Sequence, residues 1–401
     1  MAKLWVLWLV VFISLMGFGI TVVPFPIVAE QYGASKFWMT FGSSGMFSLF
    51  QVVATPLWGR LSDRIGRKPV LVVSLIGTFF AYLWMAYADG LWSLVAARAF
   101  AGIMSGNLSA AYAYVSDITE PQDRAKNLGI IGSAFGLGFA AGPVIGGALG
   151  KTAVGATLFM PGLASALLTL VAIAGAVFFL KESLPADKRA ANRVATANDK
   201  PGSSSPWGLL GSKPVLRNLS ILALVVSCGV AAMQSVYPFW ARDMFNLKLD
   251  AVGWHFGAFA VISAFSQAVL TAILVKRFGE KRVALLSVVG VTVGLLLFGA
   301  AHSLWMTYGA LLVFGLSLGV FTPSVTSLVS FEADPANRGA VMGLFNAGSS
   351  AGRVLGPAYA GIASEYISNS APFLISAMLT VAGWLILTRT RTHVVQRASP
   401  A

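Results

Sequence analysis

Residues 59–71 read GRLSDRIGRKPVL. From Gly59 to Lys68 the stretch holds four cations, Arg60, Arg64, Arg67 and Lys68, and one anion, Asp63. On either side the chain is apolar for roughly twenty residues, the length of helix that crosses one hydrocarbon core. A charged gap between two such runs is the loop between two membrane helices, and the rest of the chain can be counted outward from it. Twelve apolar runs result: 4–29, 38–58, 70–88, 91–116, 127–149, 157–180, 219–242, 251–274, 283–301, 303–330, 340–364 and 371–388. Of the 401 residues, 57% are hydrophobic and 11% charged, against about 25% charged in a soluble protein. Backbone groups in lipid must find their partners within the chain, so the runs are expected to be helices. The first run is too long for a signal-peptide core and lacks a small-x-small cleavage site, so it is read as a retained helix.

The net charge of +13 is not a nucleic-acid signature, because of where the cations lie. With the N-terminus placed in the cytoplasm, 22 of the 28 basic residues fall on the cytoplasmic side. Lys36, Lys151, Arg242 and Lys248 fall outside, and Arg98 and Arg353 fall within runs. This is the positive-inside bias, and it puts both termini in the cytoplasm. Cys228, the one cysteine, lies in the seventh run and excludes an intramolecular disulfide. The expected location is a bacterial inner membrane, crossed many times.

Residues 181–218 are polar, basic and rich in turn formers, and read as a cytoplasmic linker with a short interfacial segment near Trp207. They separate an N-terminal six-helix bundle, 1–180, from a C-terminal one, 219–389, with a cytoplasmic tail at 390–401. The halves repeat each other. EPQDRAKNLG at 120–129 aligns with DPANRGAVMG at 334–343, and the same offset of 214 carries Gly138 onto Gly352 and Gly142-Pro143 onto Gly356-Pro357. RIGRK at 64–68 meets RFGEK at 277–281. Repetition of this kind is the mark of a duplicated transporter, whose substrate site lies near the midplane between the repeats.

Three motifs carry a family resemblance. GRLSDRIGRK resembles the hallmark loop of the major facilitator superfamily between its second and third helices. RAFAGIMSG at 98–106 resembles the family's fourth-helix motif, with Arg98 as the motif arginine. GFAAGPVIGG at 138–147 resembles the fifth-helix motif of its antiporter branches, carried here by Gly138, Gly142, Pro143, Gly146 and Gly147. The resemblance is densest over 56–150, where it is to the drug:proton antiporters that include tetracycline exporters. It implies an all-α membrane fold of twelve helices in two six-helix pseudo-symmetric bundles.

In the loop, glycines Gly59 and Gly66 permit a tight turn and close helix approach. The cations hold the loop on the cytoplasmic face. Topology alone accounts for them but leaves Asp63 over. The resemblance implies that this acid meets the start of the eleventh helix, around 340–343, when the cytoplasmic gate is closed. Asp117, the matching acid of the fourth helix, joins the same network. Gly59, Asp63, Arg64, Gly66, Arg67 and Asp117 then form a conformational latch, made facing outward and broken facing inward.

Polar or small residues recur along single helical faces: Arg98, Gly102, Ser105, Ser109, Tyr112 and Ser116 in the fourth run, and Ser44, Ser48, Gln51 and Thr55 in the second. Asn346, Ser350 and Arg353 do so in the eleventh. Such stripes face a wet cavity or another helix, and the hydroxyls are equally explained by packing. An arginine at a helix centre costs about 2.5–3.5 kcal/mol on insertion scales, which marks Arg98 and Arg353 as pathway or pairing residues. The candidate substrate and coupling set is Arg98, Gln51, Ser105, Tyr112, Gln234, Tyr237, Trp240, His255, Gln267, Asn346 and Arg353. Trp240, Tyr237, Tyr112 and Phe135 are candidate apolar walls. His255 is a protonation candidate or a hydrogen-bonded structural histidine.

All fifteen acids fall outside the helix centres. Tetracycline exporters carry aspartates within helices 1, 3 and 9, so tetracycline itself is not the expected substrate. The expected function is secondary export of small amphipathic molecules by alternating access, driven by proton antiport, with anionic or neutral substrates favoured. The competing readings are an uncoupled facilitator or organic-anion exchanger and, third, a non-transporting membrane sensor. No catalytic constellation, metal set or phosphate loop is legible, so neither enzyme activity nor a cofactor beyond the proton gradient is expected. The partners expected are a small-molecule substrate and the bilayer, not nucleic acid, with the monomer as the working unit.

Overall fold

A computed structural model of the chain describes residues 2–120, 123–152, 155–185, 187, 213–332 and 338–390. Most of the linker, with Trp207, and the tail beyond 390 lie outside the described residues. Those described are helical almost throughout, with one isolated antiparallel bridge between Lys151 and Ala156. The helical segments group as α1 (Ala2–Val22, resuming as Phe25–Gln31), α2 (Lys36–Thr40, Phe41–Gly45, Met46–Ile65), α3 (Arg67–Ala86) and α4 (Leu91–Ile103, Asn107–Ile118). There follow α5 (Arg124–Gly150), α6 (Phe159–Phe179), α7 (Pro214–Phe245) and α8 (Leu249–Phe265, Ser266–Leu270, Thr271–Phe278). The last four are α9 (Glu280–Gly299), α10 (Leu304–Phe331), α11 (Arg338–Tyr366) and α12 (Ala371–Arg389).

Among the described residues, nine of these are long and apolar enough to cross a membrane. The remaining three are α2, α4 and α11. α2 runs into the charged loop, α4 is broken in the middle, and α11 carries Asn346, Ser350 and Arg353.

Several helices are interrupted. α1 pauses at Pro24, which has no N–H to give to the ladder. α2 widens to a π-helical turn at Phe41–Gly45, and α8 does so at Ser266–Leu270. The sequence predicts a continuous fourth helix over 91–116; instead the chain turns at Met104–Gly106. There the Trp58 indole packs on Gly106 and its Nε1 donates to the Ile103 carbonyl at 2.5 Å. An aromatic donor from α2 thus takes an acceptor released by the break.

The chain divides into two compact units. One is Met1–Pro201 with Ser235–Val261, the other Gly202–Gln234 with Ile262–Ala401. In the first, Leu7, Ile20, Val70, Leu75, Tyr114 and Ile131 belong to one fully buried core drawn from α1, α3, α4 and α5. In the second, Phe298 of α9 stacks on Phe373 of α12, with ring centroids 5.5 Å apart, and meets Phe314 of α10 edge-on at 6.1 Å.

The repeat seen in the sequence is also a repeat of contacts. Gly138, Gly142 and Gly146 of α5 lie against the carbonyls of Phe12, Met16 and Ile20 in α1. Gly348, Gly352 and Gly356 of α11 lie against those of Ser220, Leu224 and Cys228 in α7. Small residues one turn apart let the two backbones touch, which is how helices pack tightly where lipid removes the hydrophobic incentive. The motif also serves α8: Gly253 sits on the Pro143 carbonyl, and Gly147 on the Leu249 carbonyl.

A methyl group at Gly142 would lie 2.6 Å from the Met16 oxygen and 2.8 Å from the Gly19 Cα, both backbone atoms that cannot swing aside. Gly142→Val is expected to lose about 1–3 kcal/mol, seen as a lower thermal-unfolding midpoint in detergent. Gly132→Ala, on the same helix with nothing within 4 Å of the added carbon, is the control expected to leave the midpoint unchanged.

Candidate functional site

Arg98 sits in the first segment of α4 with no exposed surface. Its Nε donates to the Ser43 carbonyl at 2.5 Å, within the π-helical turn of α2, and its Nη1 donates to Thr21 Oγ1 of α1 at 2.7 Å. The guanidinium carbon lies 4.7 Å from the Phe18 ring centroid, 5.6 Å from Phe47 and 5.7 Å from Phe25. Nη2 and the neighbouring Ser43 Oγ are buried without a hydrogen-bond partner. No carboxylate pairs with this charge among the described residues. It is held by two oxygens and three ring faces, and desolvated cation–π contacts are worth about 2 kcal/mol or more each. Thr21, Ser43 and the phenylalanines were not legible as partners, because they lie on two other helices, α1 and α2, with no shared spacing.

The other polar residues of α4 divide. Gly102 packs on the Phe47 carbonyl of α2. Ser105, Ser109 and Ser116 return their hydroxyls to the carbonyls of Gly102, Gly106 and Tyr112 in their own helix. Those hydroxyls are absorbed within their own helix. Tyr112 and Phe135 are exposed, whereas Tyr237 and Trp240 are fully buried in this conformation and form no open wall. The Tyr237 hydroxyl meets His255 Nδ1 at 2.5 Å, and Trp240 and Phe256 pack on the Tyr237 ring. Arg353 is exposed on α11 and its Nη2 bonds Ser350 Oγ at 2.7 Å rather than a backbone carbonyl. Gln51 and Gln234 are half-buried, and Gln267 and Asn346 are exposed.

At the charged loop the structure gathers three of the expected residues. Arg67 Nη1 bonds Asp63 Oδ1 at 2.6 Å and Ser62 Oγ at 3.1 Å, and its Nε bonds Asp117 Oδ2 at 3.0 Å. Gly66 turns the chain with φ of 112°. Gly59 does not share that role: it lies inside α2, and a side chain there would touch nothing within 4 Å. Arg64 is exposed. Two residues join that the sequence did not single out. Ser183 Oγ donates to Asp117 Oδ2 at 3.1 Å, and the Glu182 carboxylate accepts from the Arg67 N–H at 2.9 Å. Residues 181–185, read from composition as the start of the linker, are therefore anchored here.

A second ionic cluster joins α7 and α8 to the opposite ends of α1, α2 and α5. Arg242 bonds Glu30 at 2.5 Å and Asp243 at 2.7 Å. Lys36 reaches Asp243 at 3.4 Å, and Lys151 reaches Asp250 at 2.7 Å. No group of three or more His, Cys, Asp or Glu among the described residues is placed to hold a metal.

The family model described as Major Facilitator Superfamily matches residues 7–251 and again 238–401. The chain belongs to the major facilitator superfamily. It is 31% identical over 341 residues to the class C tetracycline resistance protein of Escherichia coli, covering 83% of each chain. It is 29% identical to major facilitator superfamily domain-containing protein 10 of Mus musculus, over 89% of this chain and 79% of that one. The solved human organic anion transporter MFSD10 (TETRAN) superposes with a TM-score of 0.70 at 22% identity, over 96% of this chain and 99% of that one. The protein is thus a multi-pass membrane transporter rather than an enzyme, of a family that generally needs no cofactor.

Arg98→Ala is expected to abolish transport at normal expression, because the Ser43 carbonyl and the aromatic cage lose their shared partner. Arg98→Lys is expected to do little better: one ammonium cannot reproduce a planar fork that bonds two helices at once. Dye efflux from cells, normalised to membrane-inserted protein, checks both.

Proposed function

We propose that the chain exports small amphipathic molecules by alternating access, with anionic or neutral substrates preferred over permanent cations and with protons as the coupling ion. The observation that carries the substrate class is the buried guanidinium of Arg98, which has no carboxylate partner among the described residues. At an effective dielectric of about 20, two like charges about 6 Å apart repel by about 3 kcal/mol, roughly a hundredfold in binding. A cationic substrate approaching that charge finds no compensating acid at the helix centres, whereas an anion or an acceptor-rich neutral compound gains. The organic-anion specificity of the human relative of this fold agrees with this reading.

The proton is assigned to His255, which is buried and bonded to Tyr237 within α8 and α7. With every acid outside the helix centres, imidazole is the one embedded side chain whose ordinary titration lies near neutral pH. The same scarcity of embedded acids favours the second reading, an uncoupled organic-anion exchanger. The Asp63–Arg67–Asp117 cluster is the cytoplasmic latch. The distribution of cations supports a bacterial inner-membrane location with both termini inside, and the monomer is the working unit.

Flux in proteoliposomes, with matched anionic, neutral and cationic dyes and with or without a pH gradient, tests the whole reading. Carboxyfluorescein is expected to be carried and ethidium excluded by about a hundredfold. His255→Gln is expected to remove the response to the gradient while leaving exchange without a gradient intact. Saturable ethidium transport lost on mutating Arg98 would overturn the substrate class. Gradient-independent flux in the unaltered protein would favour the exchanger.

The latch has its own test. Asp63→Asn is expected to leave the protein folded and inserted, to cut flux about tenfold, and to raise maleimide labelling of Thr119→Cys in a Cys228→Ser background. Normal flux and labelling would remove Asp63 from the latch.

A further inference from the structure

Helix α3 begins against its own dipole. Its first two residues, Arg67 and Lys68, place two cations at the end of a helix that favours anions, and Gly66 before them has no side chain with which to cap it. The missing anion comes from far along the chain. Glu182 Oε1 accepts from the Arg67 N–H at 2.9 Å, and Oε2 from the Lys68 N–H at 3.2 Å. Oε1 also accepts from the N–H groups of Ser183 and Leu184, at 3.0 Å each. A Cβ on Gly66 would occupy the place of that carboxylate, so the glycine is needed for the approach as well as for the turn.

The rest of the segment is fastened in the same way. Lys68 Nζ donates to the Val177 carbonyl at 2.7 Å, and the Tyr114 hydroxyl to the Lys181 carbonyl at 2.6 Å. Ser183 bonds Asp117, itself a partner of Arg67. The end of α6 and the first residues beyond it are thus tied to the start of α3 and the end of α4.

The second half shows which part of this is general. At an offset of 213, Lys281 Nζ donates to the Thr390 carbonyl at 2.7 Å, repeating the bond from Lys68 to Val177. The ion signs, however, are exchanged: Lys276 and Glu280 stand where Asp63 and Arg67 stand in the first half. α9 therefore carries an acid in its own first turn, while α3 must borrow one.

We propose that Glu182 is a positioning residue of the transport cycle. By capping α3 it fixes the Arg67 guanidinium between Asp63 and Asp117, and it thereby couples the cytoplasmic latch to the end of α6. This rests on the latch reading given above. The borrowed cap makes the latch sensitive to any movement of the chain leaving α6, which a cap within α3 would not do.

Glu182→Gln in the full chain, in the Cys228→Ser background, tests the proposal in proteoliposomes. The substrate-independent readout is maleimide labelling of Thr119→Cys, expected to rise about fivefold. With carboxyfluorescein as probe, Vmax is expected to fall about tenfold while KM stays within about threefold. Adding Pro69→Glu, at an exposed position in the first turn of α3, supplies an acid that is not tied to α6. It is expected to restore the thermal midpoint but neither the labelling rate nor Vmax.

Unchanged labelling and Vmax in Glu182→Gln, or recovery of all three readouts with Pro69→Glu, would overturn the proposal and leave Glu182 a simple helix cap. If Glu182→Gln alone does not fold, the double variant carries the same comparison, and its failure to fold would likewise overturn the proposal. Labelling raised by Glu182→Gln but not by Asp63→Asn would remove the latch reading and keep the tie to α6; the reverse would remove the tie alone.

Discussion

A peptide group in hydrocarbon has no water to turn to, so each interruption of a helix has to be answered by a partner brought from elsewhere. Much of what is specific to this protein follows from those answers. The break in α4 exposes the Ile103 carbonyl, and the Trp58 indole takes it. The π-helical turn of α2 leaves the Ser43 carbonyl to Arg98. The start of α3, with no cap of its own, is met by Glu182. In each case a backbone irregularity meets a side chain brought from elsewhere in the chain.

The same economy governs charge. Within the helical interior Arg98 is surrounded by ring faces and neutral oxygens instead of acids, so its field is spread rather than cancelled. At the helix ends the situation is reversed: Arg67 and Arg242 each bond two carboxylates. These two arginines are thus paired with acids near the helix ends, whereas Arg98 is held by neutral groups within the bundle.

The sequence made the periodic features legible. Apolar run length located the helices, the offset of 214 located the repeat, and glycines one turn apart located the α1–α5 contact with its copy in α7 and α11. The charged loop announced itself by its density of arginine. What stayed hidden depends on contacts between residues far apart in the chain. Ser43 and Thr21 are ordinary hydroxyls until folding brings them to Arg98, and Tyr237 and Trp240 look like pocket walls until packing buries them. The break in α4 was hidden because the Trp58 indole that answers it belongs to another helix. Glu182 had a signal that composition obscured. A helix that opens on Arg-Lys without an acid of its own needs one from outside, but the residue sits where the chain turns polar and reads as linker.

Duplication gives both halves one backbone plan, and two halves alike in charge as well would be interchangeable. A carrier built that way would have no reason to rest facing one side of the membrane more than the other. At matching positions of the two loops, Asp63 and Arg67 stand against Lys276 and Glu280, so the halves differ there in the sign of charge. Each tenfold bias in the resting population needs only about 1.4 kcal/mol of difference between the two end states. An imbalance of that size is within reach of a few ion pairs, so a difference in loop charge between two otherwise similar halves is enough to set such a bias.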